Sequence, residues 1–457
     1  MMHIVARLAL ITAVLLAVPA SAEESDGAPS AATKVVTVGA EIVGFHPVSD
    51  VKPHAESVAD VQKLIEAGND YAAAEKVYTE GYSTQNKTLQ SFSTKFAAHA
   101  TMQDEPVAKE LNAFWGQYDY ADKMILAAIQ GTDAGRLGNY KSAELAKTDD
   151  ARKQIIKKGA AFSSVWLYAL HEMEAALVKY ATGDYDVATG APHALDEAWA
   201  FWAGSAEIVG GAGPYGVAEK WSKYFGTYGY SMGNGGGSRV NLEVLYHLTA
   251  MQRYLQTPAN SESLQDAAKC VRAQFKVPII QGCLKYAFQA SATEMTKDDD
   301  LSKIKAEAWA FCVGALAFLN EVDSVAAQNA EAEVTLNTNA RPNWDVVKKA
   351  FSTSNLNKMG ISCLDVGVIG GGGIESARHK DLKSQPYVSG DEQLSWCKDD
   401  EKVMQANPNT DTTRCKYTRM PDCSKDIVCS VSSGLQASSA VFVSIVALCS
   451  YMFAGLV

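Results

Sequence analysis

The sequence predicts a mainly α protein, with internally duplicated helical-bundle lobes, long glycine-rich loops and a disulfide-tied C-terminal cap. Apolar residues recur with helical spacing along most of the chain, whereas alternating strand patterns are scarce. The string DEAWAFWAGS at 196–205 returns as AEAWAFCVGA at 306–315, which indicates that a helical hairpin is duplicated. Four cysteines lie within 391–432, a charged stretch with little periodicity, which favours a cap held by disulfides.

Both ends of the sequence resemble processing signals. Arg7 precedes an apolar run and the small residues Ala20-Ser21-Ala22, which is typical of a secretory signal peptide. Near the other end, Ser432-Ser433-Gly434 is followed by a polar spacer and an apolar run to Val457. This order predicts a GPI-anchor signal with lipid attachment at Ser432, and a C-terminal transmembrane helix remains the alternative. We therefore expect the protein on the extracellular face of the plasma membrane, or in the periplasmic space or cell wall.

These signals and the change in composition predict a division of the chain into six parts. They are a signal peptide at 1–22, a flexible N-terminus at 23–39, a first helical lobe at 40–258, a second helical lobe at 259–390, a Cys-rich cap and stalk at 391–432, and a removed anchor signal at 433–457.

Cysteine content and charge restrict the class of protein. Eight of the nine cysteines lie between Cys270 and Cys429, and an even number in a secreted chain implies disulfides whose pairing stays open. The string Asn86-Lys87-Thr88 is a glycosylation acceptor, which predicts that Asn86 is exposed. The formal net charge of −11 argues against nucleic acid and favours cations or basic partners.

Helices are predicted along the chain from periodicity, caps and breakers. Ser57 is a suitable N-cap for the first helix, VADVQKLIEA, and YAAAEKVYTEG forms the second. The segment 205–240 reads as a glycine-rich connection with a short helix around VAEKWSKYF. Longer helices are predicted over 88–101, 104–130, 152–181, 239–256, 260–273, 277–296, 302–329 and 343–354.

The helix over 152–181 contains the strongest candidates for a metal site. Tyr168, His171 and Glu174 follow one another at i, i+3 and i+6, so their side chains share one face. Glu197 lies on the next helix, and Glu207 follows that helix in the glycine-rich loop. Oxygen and imidazole ligands without thiolate suit hard or borderline cations such as iron. The alternative is a satisfied polar network in the core, with His171 bonded to Glu174 and Glu197 merely favouring a helix dipole.

Sequence signatures of common enzymes are missing. GNGGGS lacks the last glycine of a dinucleotide fingerprint, HEMEA lacks the second histidine of a zinc peptidase, and no GxSxG elbow occurs. We therefore expect a binding protein and not an enzyme.

Several strings of this chain resemble one known family. GFHPVSDVKPH at 44–54 and YTEGYSTQNKTLQSFS at 78–93 are similar to the start of the algal iron-assimilation (low-iron-inducible periplasmic) proteins, which include the phytotransferrins. FWAGSAEIVGG, KYFGTYGY, SRVN, VPIIQGCLKYAF and NKMGISCLDVG resemble later signatures of that family in the same order. The string from Ala169 to Glu174 also resembles the G-x-H-x-x-E motif of imelysin-like iron-uptake proteins, with Ala169 in place of the glycine.

The resemblance implies a cell-surface protein that captures ferric iron for high-affinity uptake, with carbonate as a synergistic anion. It also implies an iron reductase, a permease or the endocytic machinery as partners. The expected ligands are His171 and Glu174, with Glu197, Tyr168 and Glu207 as further candidates. The alternative function is a GPI-anchored adhesion or receptor module whose polar core is structural. A metal-dependent hydrolase lacks a recognisable nucleophile or base.

Overall fold

The computed structural model describes residues 57–82, 87–132, 148–204, 213–230, 237–255, 261–291, 298–336, 340–367 and 369. Within these ranges the protein is mainly α, as the sequence predicts. The N-terminal helices are α1 (Ser57–Glu66), α2 (Tyr71–Glu80), α3 (Ser91–Ala98), α4 (Ala100–Gln103), α5 (Pro106–Trp115) and α6 (Tyr120–Gln130). The central helices are α7 (Asp149–Gly159), a π-helical segment (Ala160–Val165), α8 (Trp166–Ala181), α9 (Ala191–Ala203), α10 (Pro214–Phe225) and α11 (Arg239–Tyr254). The C-terminal helices are α12 (Ser261–Ser291), α13 (Asp298–Val322), α14 (Ser324–Val334), α15 (Trp344–Ala350), α16 (Thr353–Lys358) and α17 (Cys363–Val366).

Two helices predicted as continuous are interrupted. The stretch 104–130 ends its first helix at Gly116, which has a left-handed φ of 74° that glycine adopts without steric cost. The stretch 302–329 is interrupted at Asp323, whose side chain accepts a hydrogen bond from the Ala326 N–H and so caps α14. Both interruptions come from local capping, which outweighs the continuous apolar pattern.

The opposite error occurs at 260–296, where two helices were predicted and one is found. Pro278 lies inside α12 and contributes no N–H to the helix. The indole N–H of Trp166 donates to the Phe275 carbonyl at 2.7 Å, in the turn just before the proline. Tertiary packing of this kind supports a long helix where the sequence suggests a break.

The glycine-rich connection contains a helix and a small β-ribbon. Helix α10 confirms the short helix predicted around VAEKWSKYF. Strands β1 (Tyr228–Tyr230) and β2 (Gly237–Ser238) then pair antiparallel, with Tyr228 opposite Ser238. The ribbon leads directly into α11, because the Arg239 N–H donates to the Thr227 carbonyl at 3.0 Å.

One hydrophobic core runs through the described part of the chain, from Val61 to Ile369. Residues of both predicted lobes take part in it. The Trp115 indole N–H donates to the Val313 carbonyl at 2.9 Å, across the predicted lobe boundary. A buried disulfide, Cys283–Cys312, joins α12 to α13. The division into lobes and the internal duplication stay predictions.

Several predicted features lie outside the described residues. They are the signal peptide, the flexible N-terminus, the C-terminal cap, the anchor signal with Ser432, and the residues Asn86 and Glu207. In the ranges given above, no helix is long and apolar enough to cross a membrane.

Candidate metal centre

The candidate site lies on α8 and α9, two helices that pack against each other. Helix α8 continues α7 through the buried π-helical segment, and such segments often occur at functional sites because they turn the following helix face. The Tyr168 ring packs between Phe92, at a centroid distance of 4.6 Å, and Phe201 of α9, at 5.1 Å. These apolar contacts hold the phenol in place at the interface of the two helices.

Two carboxylates face each other across this interface, Glu172 of α8 and Glu197 of α9, and we call them the carboxylate pair. The Lys87 ammonium lies between them, with Nζ 3.5 Å from Glu172 Oε1 and 3.7 Å from Glu197 Oε2. The other oxygen of Glu197, Oε1, is 3.2 Å from His193 Nε2, one turn earlier in α9. The Lys87 Nζ is also 5.5 Å from the centre of the Tyr168 ring. The pair is therefore a site that already holds a cationic group.

Burial and mutual repulsion perturb the acid–base properties of these groups. Burial raises the pKa of Glu172 to about 7, and the neighbouring charge of Glu197 adds to the effect. Burial also raises the pKa of Tyr168 above its usual range, again with a contribution from the negative charges of the carboxylate pair. Lys95 donates to the Tyr168 hydroxyl at 3.0 Å. The pKa of Lys95 is lowered, first by burial and then by the charge of Lys87.

A second polar cluster lies on the adjacent face of α8. Arg272 of α12 binds both oxygens of Glu174, with Nε 2.5 Å from Oε1 and Nη2 2.7 Å from Oε2. His171 Nδ1 lies 2.6 Å from Glu105 Oε1. Burial and the charge of Glu174 raise the pKa of Glu105 to about 9, whereas burial lowers the pKa of His171. Both shifts favour the uncharged forms of these groups, a protonated Glu105 carboxyl beside a neutral imidazole.

The structure thus divides the predicted ligands between two adjacent clusters, which meet where the Tyr168 and His171 rings lie 5.0 Å apart. Tyr168 and Glu197 meet at the carboxylate pair, whereas His171 and Glu174 belong to the second cluster with partners of their own. Glu207 falls outside the described residues. Among the residues that the structure describes, no three His, Cys, Asp or Glu side chains are arranged as a ready metal site.

Sequence reasoning missed Glu172, His193, Lys87 and Glu105. Helical spacing could have predicted Glu172 and His193. Glu172 is i+4 from Tyr168 and His193 is i−4 from Glu197, so each lies one turn from a predicted ligand. No local signal was present for Lys87 and Glu105, which come from other parts of the chain, 85 and 66 residues from Glu172 and His171.

Comparison with known proteins identifies the family. The family model described as "low iron-inducible periplasmic protein" matches residues 14–385, which is most of the chain. No curated protein and no solved structure matches the chain. The chain therefore belongs to the low iron-inducible periplasmic protein family, whose description ties it to iron limitation and to a location outside the cytoplasm.

Proposed function

We propose that this protein captures ferric iron outside the plasma membrane and passes it to an uptake system, without catalysing a reaction itself. The proposed ligands are the carboxylate pair, Glu172 and Glu197, together with the Tyr168 phenol and the His193 imidazole. The single observation that carries the proposal is the position of the Lys87 ammonium between the two carboxylates. Two buried carboxylates that hold one positive charge are suited to hold a more highly charged ion instead.

The chemistry of these side chains suits iron. Carboxylate, phenolate and imidazole form a hard to borderline set without thiolate, which fits ferric iron better than a soft metal. The Nδ1 atom of His193 is buried without a hydrogen-bond partner among the described residues, so this imidazole has an unused nitrogen. A bound trivalent ion would favour the ionised phenol, because the charge of the metal outweighs the burial that raises the pKa of Tyr168.

Iron binding at the carboxylate pair requires a local rearrangement. The Lys87 ammonium has to leave its position between Glu172 and Glu197, and the ligands have to close on the ion. A carbonate ion could then pair with two ammonium groups: Lys87, which the iron displaces, and Lys95, which lies nearby. Their positive charges lie beside Tyr168, where an anion bound next to the iron would be neutralised.

His171 and Glu174 form the alternative ligand set, and their role stays a prediction. Their use would require Glu105 to lose its proton and Arg272 to release a bidentate carboxylate. This cost favours the carboxylate pair as the primary site. The GPI anchor, the extracellular or periplasmic location, and a reductase, permease or endocytic partner belong to the same proposal and rest on the sequence signals given above.

The test is a titration of the secreted fragment, Glu23 to Ser432, with ferric nitrilotriacetate in the presence and absence of bicarbonate. Wild type should bind iron saturably, and a visible phenolate-to-iron absorption band should disappear in Tyr168→Phe. Glu172→Gln and Glu197→Gln should each weaken binding at least about a hundredfold, because each removes a charged ligand. Bicarbonate dependence would support the synergistic anion.

Glu307→Gln is the matched control. Glu307 occupies the position of Glu197 in the second EAWAF string, is equally buried, and faces Lys158 at 3.8 Å. Its substitution should leave iron affinity unchanged. The second cluster would be the iron site if His171→Ala and Glu174→Gln abolish binding. In that case Glu172→Gln and Glu197→Gln would still bind iron. If wild type binds no iron at micromolar protein, the adhesion or receptor module is the better explanation of the protein's function.

A further inference from the structure

Lys87 contacts both carboxylates of the pair, and both contacts are long. Its Nζ distances of 3.5 and 3.7 Å exceed the 2.7–2.9 Å that is typical of a charge-assisted hydrogen bond. The Lys87 side chain is 28% exposed, whereas the side chains of Glu172 and Glu197 are 8% and 12% exposed. The ammonium group therefore covers the pair from the solvent side.

Lys87 and the two carboxylates that it contacts lie in different kinds of backbone. Lys87 lies outside any helix, in the segment that precedes α3, whereas the carboxylates are fixed on α8 and α9. Its ammonium also rests near two aromatic rings, 5.5 Å from the centre of Tyr168 and 5.8 Å from that of Phe201. Cation–π attraction of this kind contributes modestly and so favours a resting position without locking it.

We propose that Lys87 is a tethered competitor that decides which cations occupy the iron site. This inference rests on the proposed function, because it concerns the same carboxylate pair. Any metal ion that binds the pair has to displace the same ammonium group, so Lys87 lowers the affinity for every metal by the same factor. A tethered group acts at an effective concentration on the order of millimolar or higher.

If Lys87 weakens the binding of every metal ion equally, only ions that bind the carboxylate pair strongly still occupy the site. Divalent ions such as Ca²⁺ and Mg²⁺ bind two carboxylates weakly, and the competitor keeps them from filling the site. Ferric iron is attracted more strongly because Coulomb energy grows with the charge of the ion, so it still displaces the ammonium. Lys87 therefore sets a minimum affinity for occupancy of the site. Cations that bind weakly and are abundant outside the cell fall below it, although the ratio between the affinities of two metals is unchanged.

The test compares Lys87→Met with Lys87→Arg in the secreted fragment. Methionine keeps the apolar stem over the aromatic rings and removes the charge, arginine keeps the charge, and both leave the Asn-x-Thr acceptor intact. Calorimetric titration with Ca²⁺ and a nitrilotriacetate competition assay for Fe³⁺ give the affinities. Lys87→Met should bind both ions at least about tenfold more tightly, by a similar factor, whereas Lys87→Arg should resemble wild type.

Lys109→Met is the control for loss of one positive charge, because Lys109 pairs with Asp104 at 3.0 Å on the surface. It should change neither affinity. Circular dichroism checks that the variants fold, and Lys87→Gln carries the same prediction if Lys87→Met does not fold. If wild type binds no iron, the proposed function fails. If wild type binds iron but Lys87→Met binds Ca²⁺ and Fe³⁺ no more tightly, the competitor role of Lys87 is wrong while the iron site stands.

Discussion

At the scale of single residues, a substitution in the Glu174–Arg272 pair tests whether Glu174 stabilises the fold or binds iron. Glu174→Gln leaves the Arg272 guanidinium without its carboxylate at the packed interface of α8 and α12. Breaking a buried pair typically costs 3–5 kcal/mol, and the 19% exposure of the Arg272 side chain reduces this to about 2 kcal/mol. Urea denaturation of the secreted fragment should show this loss, with unchanged affinity for iron.

The exposed Lys63–Glu66 pair provides the control for this experiment. It is also an ion pair, with Nζ 2.7 Å from Glu66 Oε2, but both side chains are at least 40% exposed. Glu66→Gln should therefore have little measurable effect on stability. If Glu174→Gln loses iron affinity without losing stability, Glu174 is a ligand and its pairing with Arg272 is secondary.

At the scale of helices, the close contact between α12 and α13 depends on a small residue. A Cβ atom at Gly282 would overlap the Phe311 ring of α13, next to the Cys283–Cys312 disulfide. Alanine inside a helix normally stabilises by about 0.5–1 kcal/mol relative to glycine, but overpacking costs about 1–3 kcal/mol. We therefore expect Gly282→Ala to lower the free energy of unfolding by about 2 kcal/mol, measured by urea denaturation.

Gly314 lies on the opposite helix of the same contact and serves as the matched control. A Cβ atom there would lie 3.1 Å from Ile279 Cγ2, so a small shift of one side chain relieves the contact. Gly314→Ala should change stability much less than Gly282→Ala. Equal effects of the two substitutions would mean that α12 and α13 separate easily, contrary to the packing described here.

The helices also show how far periodicity predicts structure. It predicted the helix that carries Tyr168 and the helix that carries Glu197, because each keeps a continuous apolar face. It did not predict the break at Gly116 or the continuity through Pro278, because these depend on a backbone conformation and on a bond from Trp166. Tertiary contacts of this type routinely override local preference.

At the scale of the whole molecule, a buried charge network connects α11 with the C-terminal α17. Arg239 Nε lies 3.0 Å from Asp365 Oδ1 and 4.0 Å from Glu243 Oε1, and His247 Nε2 lies 3.7 Å from Glu243 Oε2. Burial raises the pKa of Glu243 from 4.5 to about 8 and lowers the pKa of His247 from 6.5 to about 3. The two shifts affect stability in opposite directions.

Glu243 should make the folded protein less stable as pH rises. Between pH 4.5 and 8 the folded state retains a proton on Glu243 that the unfolded state has released, so its stabilising contribution is present below pH 4.5 and is lost as pH approaches 8. Relative to Glu243→Gln, wild type should therefore lose on the order of 4 kcal/mol across this window, measured by urea denaturation at several pH values.

The His247→Gln variant provides the opposite control. Below pH 6.5 the unfolded state binds a proton that the buried imidazole does not, so wild type should lose stability relative to this variant as pH falls. A difference between wild type and Glu243→Gln that is constant with pH would mean that Glu243 is ionised beside Arg239.

The sequence by itself determined the mainly α class, most helices, the family resemblance and two members of the proposed site, Tyr168 and Glu197. These follow from patterns within three or four residues, which helical geometry converts directly into neighbouring side chains. Only the tertiary structure decided that Lys87 lies between Glu172 and Glu197, and that Arg272 holds Glu174 from 98 residues away. Such partners are set by how the helices pack around one core, and local periodicity carries no information about that packing.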